Sequence, residues 1–405
     1  MSARSVTPSL TMLFSAGYLA PYLLPTLVGR LTADYRLTPT LAGAIGSVLL
    51  LASAVAGLTL TSRGAADGAA RKARVGLALV VAGFGLAAAA PVGSLPLLIL
   101  GCLLGGAGSG TVAAVATAGM AGQRDPHRIS VQGLLLASSV AGALYLILPQ
   151  VGGGHWLPFA CIAGWGALAL PWAGGLAESP AESPAESLAG GLAGSSARSA
   201  PGRPRAAAPV RRSGPLPARA AGLTLACCIL FWSMAQNALW GVSGRIGLNR
   251  VGLAEAPLGL VFALALGAGL LGIAAAGSLG DRFGRTLPIG AGTVAIAGFV
   301  AISGAAHSTA PFALGEIAWN AVYPFVLSHL FGLAARLDRE GRWAILIGSA
   351  TALGVACGPI AGTLLSVDAG FPVMGLVLGA VLLLVALPMA VVARGTEPRA
   401  LNSSA

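Results

Sequence analysis

One short stretch, Gly277-Ser-Leu-Gly-Asp281-Arg282-Phe-Gly284-Arg285, separates two long apolar runs at 261–276 and 287–302. Its glycines permit tight backbone turns, and Asp281 can accept hydrogen bonds from N–H groups at a helix start. A chain that crosses a bilayer must turn in water, because hydrocarbon cannot satisfy irregular backbone. Arg282 and Arg285 favour the cytoplasmic side. The stretch therefore predicts a cytoplasmic turn between two spanning helices.

The composition of the whole chain is that of a membrane protein. Of its 405 residues, 56% are hydrophobic and only 9% are charged, whereas soluble domains carry about 25% charged residues. Many apolar runs reach the length of about 20 residues that a helix needs to cross a bilayer. The short alternating segments of a β-barrel are absent. The sequence therefore predicts an all-α protein that crosses the membrane many times.

The turn also resembles a known motif. It matches every fixed position of the signature loop of the major facilitator superfamily, Gly-x-Leu-x-Asp-Arg-x-Gly-Arg; a generic polar turn that matches by chance is the alternative. The resemblance implies about twelve transmembrane helices in two pseudo-symmetric six-helix bundles. It places this turn between the second and third helices of the second bundle.

A degraded copy of the motif lies at the equivalent place in the first half of the chain. Asp67 and Arg71 in the stretch 63–72 repeat the spacing of Asp281 and Arg285, and such internal repeats are typical of transporters. The resemblance implies that these loops form a charged latch between the halves when the protein is open outward. The latch residues would be Gly277, Asp281, Arg282, Gly284, Arg285, Asp67 and Arg71.

Twelve apolar runs and one polar interruption predict the domain organisation. Residues 176–217 repeat Ala-Glu-Ser-Pro and then become rich in Arg, Pro and Ala, which predicts a disordered cytoplasmic linker. The predicted domains are thus a six-helix bundle at 1–175, the linker at 176–217 and a second bundle at 218–405. The runs lie at about 9–29, 39–60, 75–92, 95–121, 130–150, 155–175, 220–242, 253–276, 287–305, 309–333, 344–366 and 370–393.

The basic residues predict the orientation. With both termini and the linker inside, 20 of the 24 Lys and Arg residues face the cytoplasm. The other four are Arg30, Arg36, Arg245 and Arg250, and the reversed orientation would invert this ratio. The positive-inside rule therefore places both termini in the cytoplasm of a bacterial-type inner membrane. The same distribution accounts for the net charge of +11 without a nucleic-acid partner.

Glu316 is the clearest candidate functional residue, because an acid within a span is costly. It lies in the tenth run, about six residues or 9 Å from the outer end. Asn320 and Tyr323 follow at i+4 and i+7 and share its face. Such an acid can bind a proton, a cation or an amine on a substrate. The alternative is an acid near the rim that reaches outer water.

The seventh run supplies a second candidate surface. Trp232, Gln236 and Trp240 recur at a spacing of four, with Asn237 beside them. Aromatic and amide groups suit a substrate wall, and the alternative is ordinary helix packing.

Two tyrosines of the first run join this candidate set. Tyr18 and Tyr22 share a face, and Pro21 and Pro25 predict a bend in the same helix. The resemblance places the first and seventh helices around a central cavity. The alternative role for Tyr18 and Tyr22 is anchoring at the membrane interface.

Two departures from proton-driven drug exporters of the family stand out. Cys102 occupies the position where those exporters carry an Arg, and the fifth run lacks their Gly-Pro motif. A similar motif, Gly354-Val-Ala-Cys-Gly358-Pro-Ile-Ala-Gly362, lies instead in the eleventh run, where it can also serve close helix packing. Drug–proton antiport is therefore in doubt, and Glu316 is the better candidate for proton coupling.

The predicted function is secondary transport of a small organic solute by alternating access, driven by protons, in a monomer embedded in the lipid bilayer. No phosphate-binding loop, nucleophile set or metal-ligand spacing is present, so we expect no enzyme activity, cofactor or metal. Efflux of an amphipathic compound and uptake of an organic acid or nutrient both fit. The alternatives are a non-transporting membrane sensor or assembly factor, and a membrane-embedded enzyme.

Overall fold

The structure is a computed structural model that describes residues 6–62, 68–123, 125–176, 218–280, 282, 284–337 and 342–396. The predicted linker beyond residue 176 lies outside these residues. So do two of the predicted latch residues, Asp67 and Asp281.

Every regular element of the described chain is helical. Short helical segments at Leu170–Leu176 and Ile246–Arg250 extend two of the longer helices. The thirteen α-helices of the described residues are α1 (Val6–Tyr22), α2 (Leu24–Ala33), α3 (Pro39–Ser62), α4 (Ala69–Ala89), α5 (Leu95–Ala121), α6 (Pro126–Val151), α7 (Trp156–Ala169), α8 (Ala218–Arg245), α9 (Glu255–Leu279), α10 (Thr286–Ala305), α11 (Thr309–Leu337), α12 (Arg342–Asp368) and α13 (Gly370–Thr396).

Eleven of these elements are each long and apolar enough to cross a bilayer, and α1 with α2 makes a twelfth span. The chain is therefore a multi-pass membrane protein. The break between α1 and α2 bends this span by 43°. Pro21 lies inside α1 and Pro25 at the start of α2, and proline lacks the N–H that continues a helical ladder. The predicted bend of the first span is confirmed.

The helices pack as two six-span halves with matching contacts. In the first half, α4 packs on α5 and α7, α3 packs on α5, and α1 packs on α6. The second half repeats these contacts: α10 packs on α11 and α13, α9 on α11, and α8 on α12. Each pair maps onto its counterpart by a shift of six spans. The predicted arrangement of two pseudo-symmetric bundles is therefore confirmed.

The glycine motif of the eleventh span is used for helix packing. A Cβ on Gly354 would lie 2.9 Å from the Cβ of Ser233, and a Cβ on Gly358 would lie 2.6 Å from that of Asn237. A Cβ on Gly362 would meet the carbonyl oxygen of Ala238. Small residues allow helix backbones to approach closely where lipid supplies no hydrophobic driving force. The glycine seam thus joins α8 and α12 backbone to backbone.

The largest contacts between the two halves are those of α2 with α8, α3 with α12 and α6 with α9. One end of the molecule carries Arg30, Gly153 and Glu255, and we call it the Arg30 end; the opposite end is the Arg285 end. The largest buried apolar core includes first-half residues only around the centre and the Arg30 end, whereas in the second half it extends to Leu337 and Ala393 at the Arg285 end. A separate cluster that includes Leu10 and Val112 forms within the first half. The core therefore unites the halves only part of the way along the molecule.

Candidate functional site

Glu316 lies inside the second half, about 10 Å along α11 from its start. Its side chain is fully buried. Carboxylate atom Oε1 accepts hydrogen bonds from Ser243 Oγ at 2.7 Å and Ser303 Oγ at 2.6 Å, and Oε2 accepts one from Trp319 Nε1 at 3.1 Å. The side chains of α8, α10 and α11 therefore enclose the acid. The alternative of a rim residue that reaches outer water is wrong for this conformation.

The carboxyl group of Glu316 has no cationic partner among the described residues. The two ion pairs found there join Arg30 to Asp34 and to Glu255. Burial of an ionised carboxylate is costly without a partner charge, and three hydrogen-bond donors offset part of that cost. Charge balance at this site therefore requires a proton or another cation.

The hydroxyl of Ser243 suits both protonation states of Glu316. It lies 2.7 Å from Oε1 of Glu316 and 2.9 Å from the carbonyl oxygen of Leu239, but it carries one hydrogen. When Glu316 is ionised, the hydroxyl can donate to the carboxylate. When Glu316 is protonated, the hydroxyl can donate to Leu239 and accept from the acid. The site can gain or lose a proton without a buried group losing its partner.

A group of aromatic side chains lies beside Glu316 at the interface of the halves. Trp319 packs edge-on against Trp240 and Tyr323, with ring centroids 6.0 and 6.1 Å apart, and Tyr323 stacks on Trp232 at 5.1 Å. From the first half, Tyr145 reaches Trp240 at 6.5 Å. We call this group the central aromatic cluster and define it as Tyr145, Trp232, Trp240, Phe262, Trp319 and Tyr323.

Of the two tyrosines of helix α1, Tyr22 packs against the central core, and its hydroxyl is near Ser138 of α6. The ring of Tyr18 instead stacks on Phe14 at 4.4 Å and packs against the separate cluster of the first half. The structure therefore brings together five predicted residues from three helices, which are Tyr22, Trp232, Trp240, Glu316 and Tyr323. The sequence analysis did not identify Tyr145 and Phe262, because nothing in the sequence around them indicates their position. It also missed Trp319, although the i+3 spacing from Glu316 places Trp319 on the same side of the helix.

The predicted amide side chains donate hydrogen bonds within their own helices, and one of them also has an atom without a partner. Asn237 donates to the carbonyl of Ser233 at 2.9 Å, and Asn320 donates to that of Glu316 at 3.0 Å. Gln236 donates from Nε2 to the carbonyl of Trp232 at 3.0 Å. Its Oε1 and the Nε1 of Trp232 are buried without a hydrogen-bond partner in the described chain. These two atoms are an acceptor and a donor available to a ligand or to water.

Contacts between the halves continue from the cluster toward the Arg30 end. Trp240 Nε1 donates across the interface to the carbonyl of Pro21 at 3.2 Å. Within the first half, Tyr145 Oη donates to the carbonyl of Tyr22 at 2.6 Å. Both acceptors lie at the bend of the first span. A Cβ on Gly259 of α9 would collide with the carbonyl oxygen of Tyr145 on α6. The two halves are thus packed in direct contact between the site and the Arg30 end.

An ion pair joins the halves at the Arg30 end. Arg30 donates from Nη2 to Glu255 Oε2 at 2.6 Å and from Nη1 to the carbonyl of Gly153 at 2.7 Å. Asp34, one turn away from Arg30 in the same half, lies 3.4 Å from Nη1. Gly153 and Asp34 therefore fix the guanidinium, and Glu255 connects it to the second half.

The signature turn lies at the Arg285 end. Gly280 and Gly284 have φ values of +52° and +65°, which glycine adopts without strain. Arg285 donates to the carbonyl of Gly332, which ties the turn to α11 of its own half. The predicted latch residues Arg71 and Arg282 are exposed. The first half comes near at Gly277, where a Cβ would lie 3.6 Å from His127.

Comparisons with known proteins identify solved structures of similar architecture. The sequence matches no family model and no curated protein. Among solved structures, a D-xylose-proton symporter superposes with a TM-score of 0.72 at 15% identity, covering 96% of this chain and 97% of the other. The inward-open xylose transporter XylE from E. coli gives 0.71 at 14%, covering 100% and 98%. The human organic anion transporter MFSD10 (TETRAN) gives 0.61 at 17%, covering 96% and 100%.

These similarities extend over nearly the full length of each chain, and they agree with the signature turn and the six-span repeat. The chain has the fold of the major facilitator superfamily of transporters.

Proposed function

We propose that the protein is a secondary transporter that moves a small organic solute across the membrane by alternating access. The two halves would rock about the central aromatic cluster, which both halves build. In transporters of this kind the site lies near the membrane midplane at the interface of the repeats. The solved transporters of the same fold support this proposal.

The single observation that carries it is the asymmetry of contact between the halves. Trp240 bonds to the bend of the first span, Gly259 packs on the carbonyl of Tyr145, and Arg30 pairs with Glu255, all between the cluster and one end. At the other end the first half keeps an apolar cluster of its own. A site closed on one side is what one state of an alternating-access cycle requires. The positive-inside rule predicts that the Arg30 end faces outward, so this state would face the cytoplasm.

Proton coupling through Glu316 is the second part of the proposal. The acid is buried, lacks a described cationic partner and has in Ser243 a hydroxyl that can bond to either of its protonation states. Its indole partner Trp319 contacts Trp240, which bonds across to the first half. The titratable group that faces Glu316 from α6 is Tyr145. A change of charge on Glu316 would therefore be felt at the contact between the halves.

The setting of the proposed transporter follows the charge distribution. We propose that it works in a bacterial-type inner membrane with both termini in the cytoplasm. One chain provides both halves of the site, so a monomer suffices. The latch of Asp281, Arg285, Asp67 and Arg71 would form when the Arg30 end opens.

Purified protein in liposomes with an imposed pH gradient tests the proposal. An internal pH dye reports proton movement while organic acids, amines and neutral solutes are added one at a time. We expect solute-dependent proton flux with one class of solute. Folded protein that moves none of them would instead favour the non-transporting sensor or assembly factor.

The variant Glu316→Gln separates transport from coupling. A glutamine amide can donate to the two serine hydroxyls and accept from Trp319, so it imitates the protonated acid. We expect solute exchange to persist and solute-driven proton flux to be lost. Proton flux that survives unchanged in this variant would exclude Glu316 as the coupling group.

A further inference from the structure

We propose that the transported solute is a compact organic cation, an ammonium compound that binds among the aromatic side chains of the centre with Glu316 as its counter-charge. This inference rests on the proposed transport function and names its substrate class. The faces of the aromatic rings would contact the cation, and the carboxylate of Glu316 would lie behind these rings, away from the cation.

The concentration of aromatic residues at the centre is the first observation. The whole chain has only five tyrosines and seven tryptophans. Three of the tyrosines and three of the tryptophans meet at the interface of the halves, although both halves have many other buried positions. Aromatic cages of this kind bind ammonium ions through the negative faces of their rings. The residues are Tyr22, Tyr145, Tyr323, Trp232, Trp240 and Trp319.

The charge balance at the centre is the second observation. Glu316 is buried without a described cationic partner, as the two ion pairs of the described chain involve other residues. Arg245 lies on the same helix as Ser243, but its guanidinium donates to Ser366 and lies over the ring of Phe371. When Glu316 is ionised, the centre carries a negative charge that a cationic solute would balance. An anionic solute would meet repulsion in this region.

The hydrogen bond between Trp319 and Glu316 links these two observations. The indole N–H points at the carboxylate, 3.1 Å from N to O, so the carboxylate draws positive charge to that edge of the ring. The faces of the indole become correspondingly richer in electrons. Trp319 presents its ring to Tyr323 and Trp240, on the side of the cluster. A buried acid can thus strengthen cation binding through the ring without touching the cation.

The polar groups of the site suit a neutral sugar-like solute less well. Recognition of many hydroxyls requires several amides and hydroxyls aimed at the solute, since unmatched polar groups lose affinity. Asn237 and Asn320 instead donate to carbonyls of their own helices. Gln236 is fully buried and donates to its own helix as well, which leaves its Oε1 and the Nε1 of Trp232 as the unpaired polar atoms of this surface. The centre offers aromatic faces in larger number than free hydrogen-bonding groups.

A binding experiment with a charged and a neutral molecule of the same shape tests the proposal. Isothermal titration calorimetry on the purified protein would compare choline and benzyltrimethylammonium with 3,3-dimethylbutan-1-ol, the neutral analogue of choline. We expect at least one cation to bind about tenfold or more tightly than the neutral analogue, because only the cation gains from the ring faces. Equal or tighter binding of the neutral analogue would overturn the proposal.

Three variants identify the groups responsible. Trp319→Phe keeps an aromatic ring but loses the N–H that bonds Glu316, and Glu316→Gln removes the charge; both should weaken cation binding severalfold. Trp156→Phe is the matched control, because it changes an exposed tryptophan outside the cluster and should leave cation binding unchanged. Melting temperatures verify that each variant is folded. Cation binding that is unchanged in both Trp319→Phe and Glu316→Gln would contradict the proposal.

A counterflow assay in liposomes distinguishes this inference from the proposed function. Labelled cationic, neutral and anionic solutes are exchanged against an excess of the same unlabelled compound. Exchange of cations supports both proposals. Exchange of neutral or anionic solutes without any cation would overturn the cation inference and leave the transport function standing. Folded protein that exchanges no solute of any class would overturn both.

Discussion

The ion pair at the Arg30 end gives a quantitative prediction for conformational balance. In the variant Glu255→Ala, Arg30 keeps Gly153 and Asp34, both in its own half, so no uncompensated buried charge results. The side chain of Glu255 is 47% exposed and that of Arg30 14% exposed. Exposed pairs of this kind contribute about 0.2–1 kcal/mol. At room temperature this range corresponds to a change of about 1.4- to 5-fold in the ratio of closed to open molecules.

Distance measurement between the outer loops of the two halves can detect this change. Spin labels on cysteines at the exposed positions Val92 and Ser308, in a background without the five native cysteines, report on the separation of the halves. A closed-to-open ratio of 10 should fall to between about 2 and 7 in Glu255→Ala. The effect should fade at 1 M salt, where the Debye length is about 3 Å.

Asp34→Asn provides the matched control, because it removes the other acid near Arg30 but one that lies in the same half. We expect it to leave the ratio unchanged. The reasoning fails if Asp34→Asn changes the ratio as much as Glu255→Ala does. It also fails if the effect of Glu255→Ala persists at high salt, or if there is no effect at low salt.

Two further substitutions test packing and the contact between the halves. Trp240→Phe keeps an aromatic ring but loses the bond to the Pro21 carbonyl, a change of about 0.5–1.5 kcal/mol. The same spin labels should show a smaller fraction of closed molecules. An unchanged fraction would mean that this bond does not stabilise the closed state. Gly362→Ala places a Cβ against Ala238 and should cost about 1–3 kcal/mol, lowering the melting temperature. In Gly348→Ala, in the same helix, the new Cβ meets no atom within 4 Å, and the melting temperature should rise slightly. Equal changes in melting temperature for the two variants would contradict the packing argument.

The fold was readable from the sequence to an unusual extent, because the bilayer restricts the choices. Apolar runs of spanning length can form only helices in lipid, and the signature turn at 277–285 located the repeat. The bend at Pro21 and Pro25 followed from the chemistry of proline. These are local properties that require no knowledge of which helix packs against which.

The candidate site was only partly readable, because its groups come together from distant segments. The i, i+4 and i+7 spacing placed Glu316, Asn320 and Tyr323 on related faces of one helix. It gave no sign that Ser243 and Ser303, 73 and 13 residues away in sequence, enclose the acid. Distance along the helix alone is therefore compatible with a rim position for Glu316. Burial is a tertiary property, and neighbouring helices decided it.

The glycine seam between α8 and α12 has a consequence for how the protein opens. Backbones in direct contact leave no layer of side chains along which the two helices can slide past each other. Helix α8 holds the first half through Trp240, and α12 holds it through the Ile360 N–H, which donates to Ser47 Oγ at 3.0 Å. Because one rigid pair carries both contacts, neither can separate while the other remains. We therefore expect the Arg30 end to open in one concerted step, without a populated half-open intermediate.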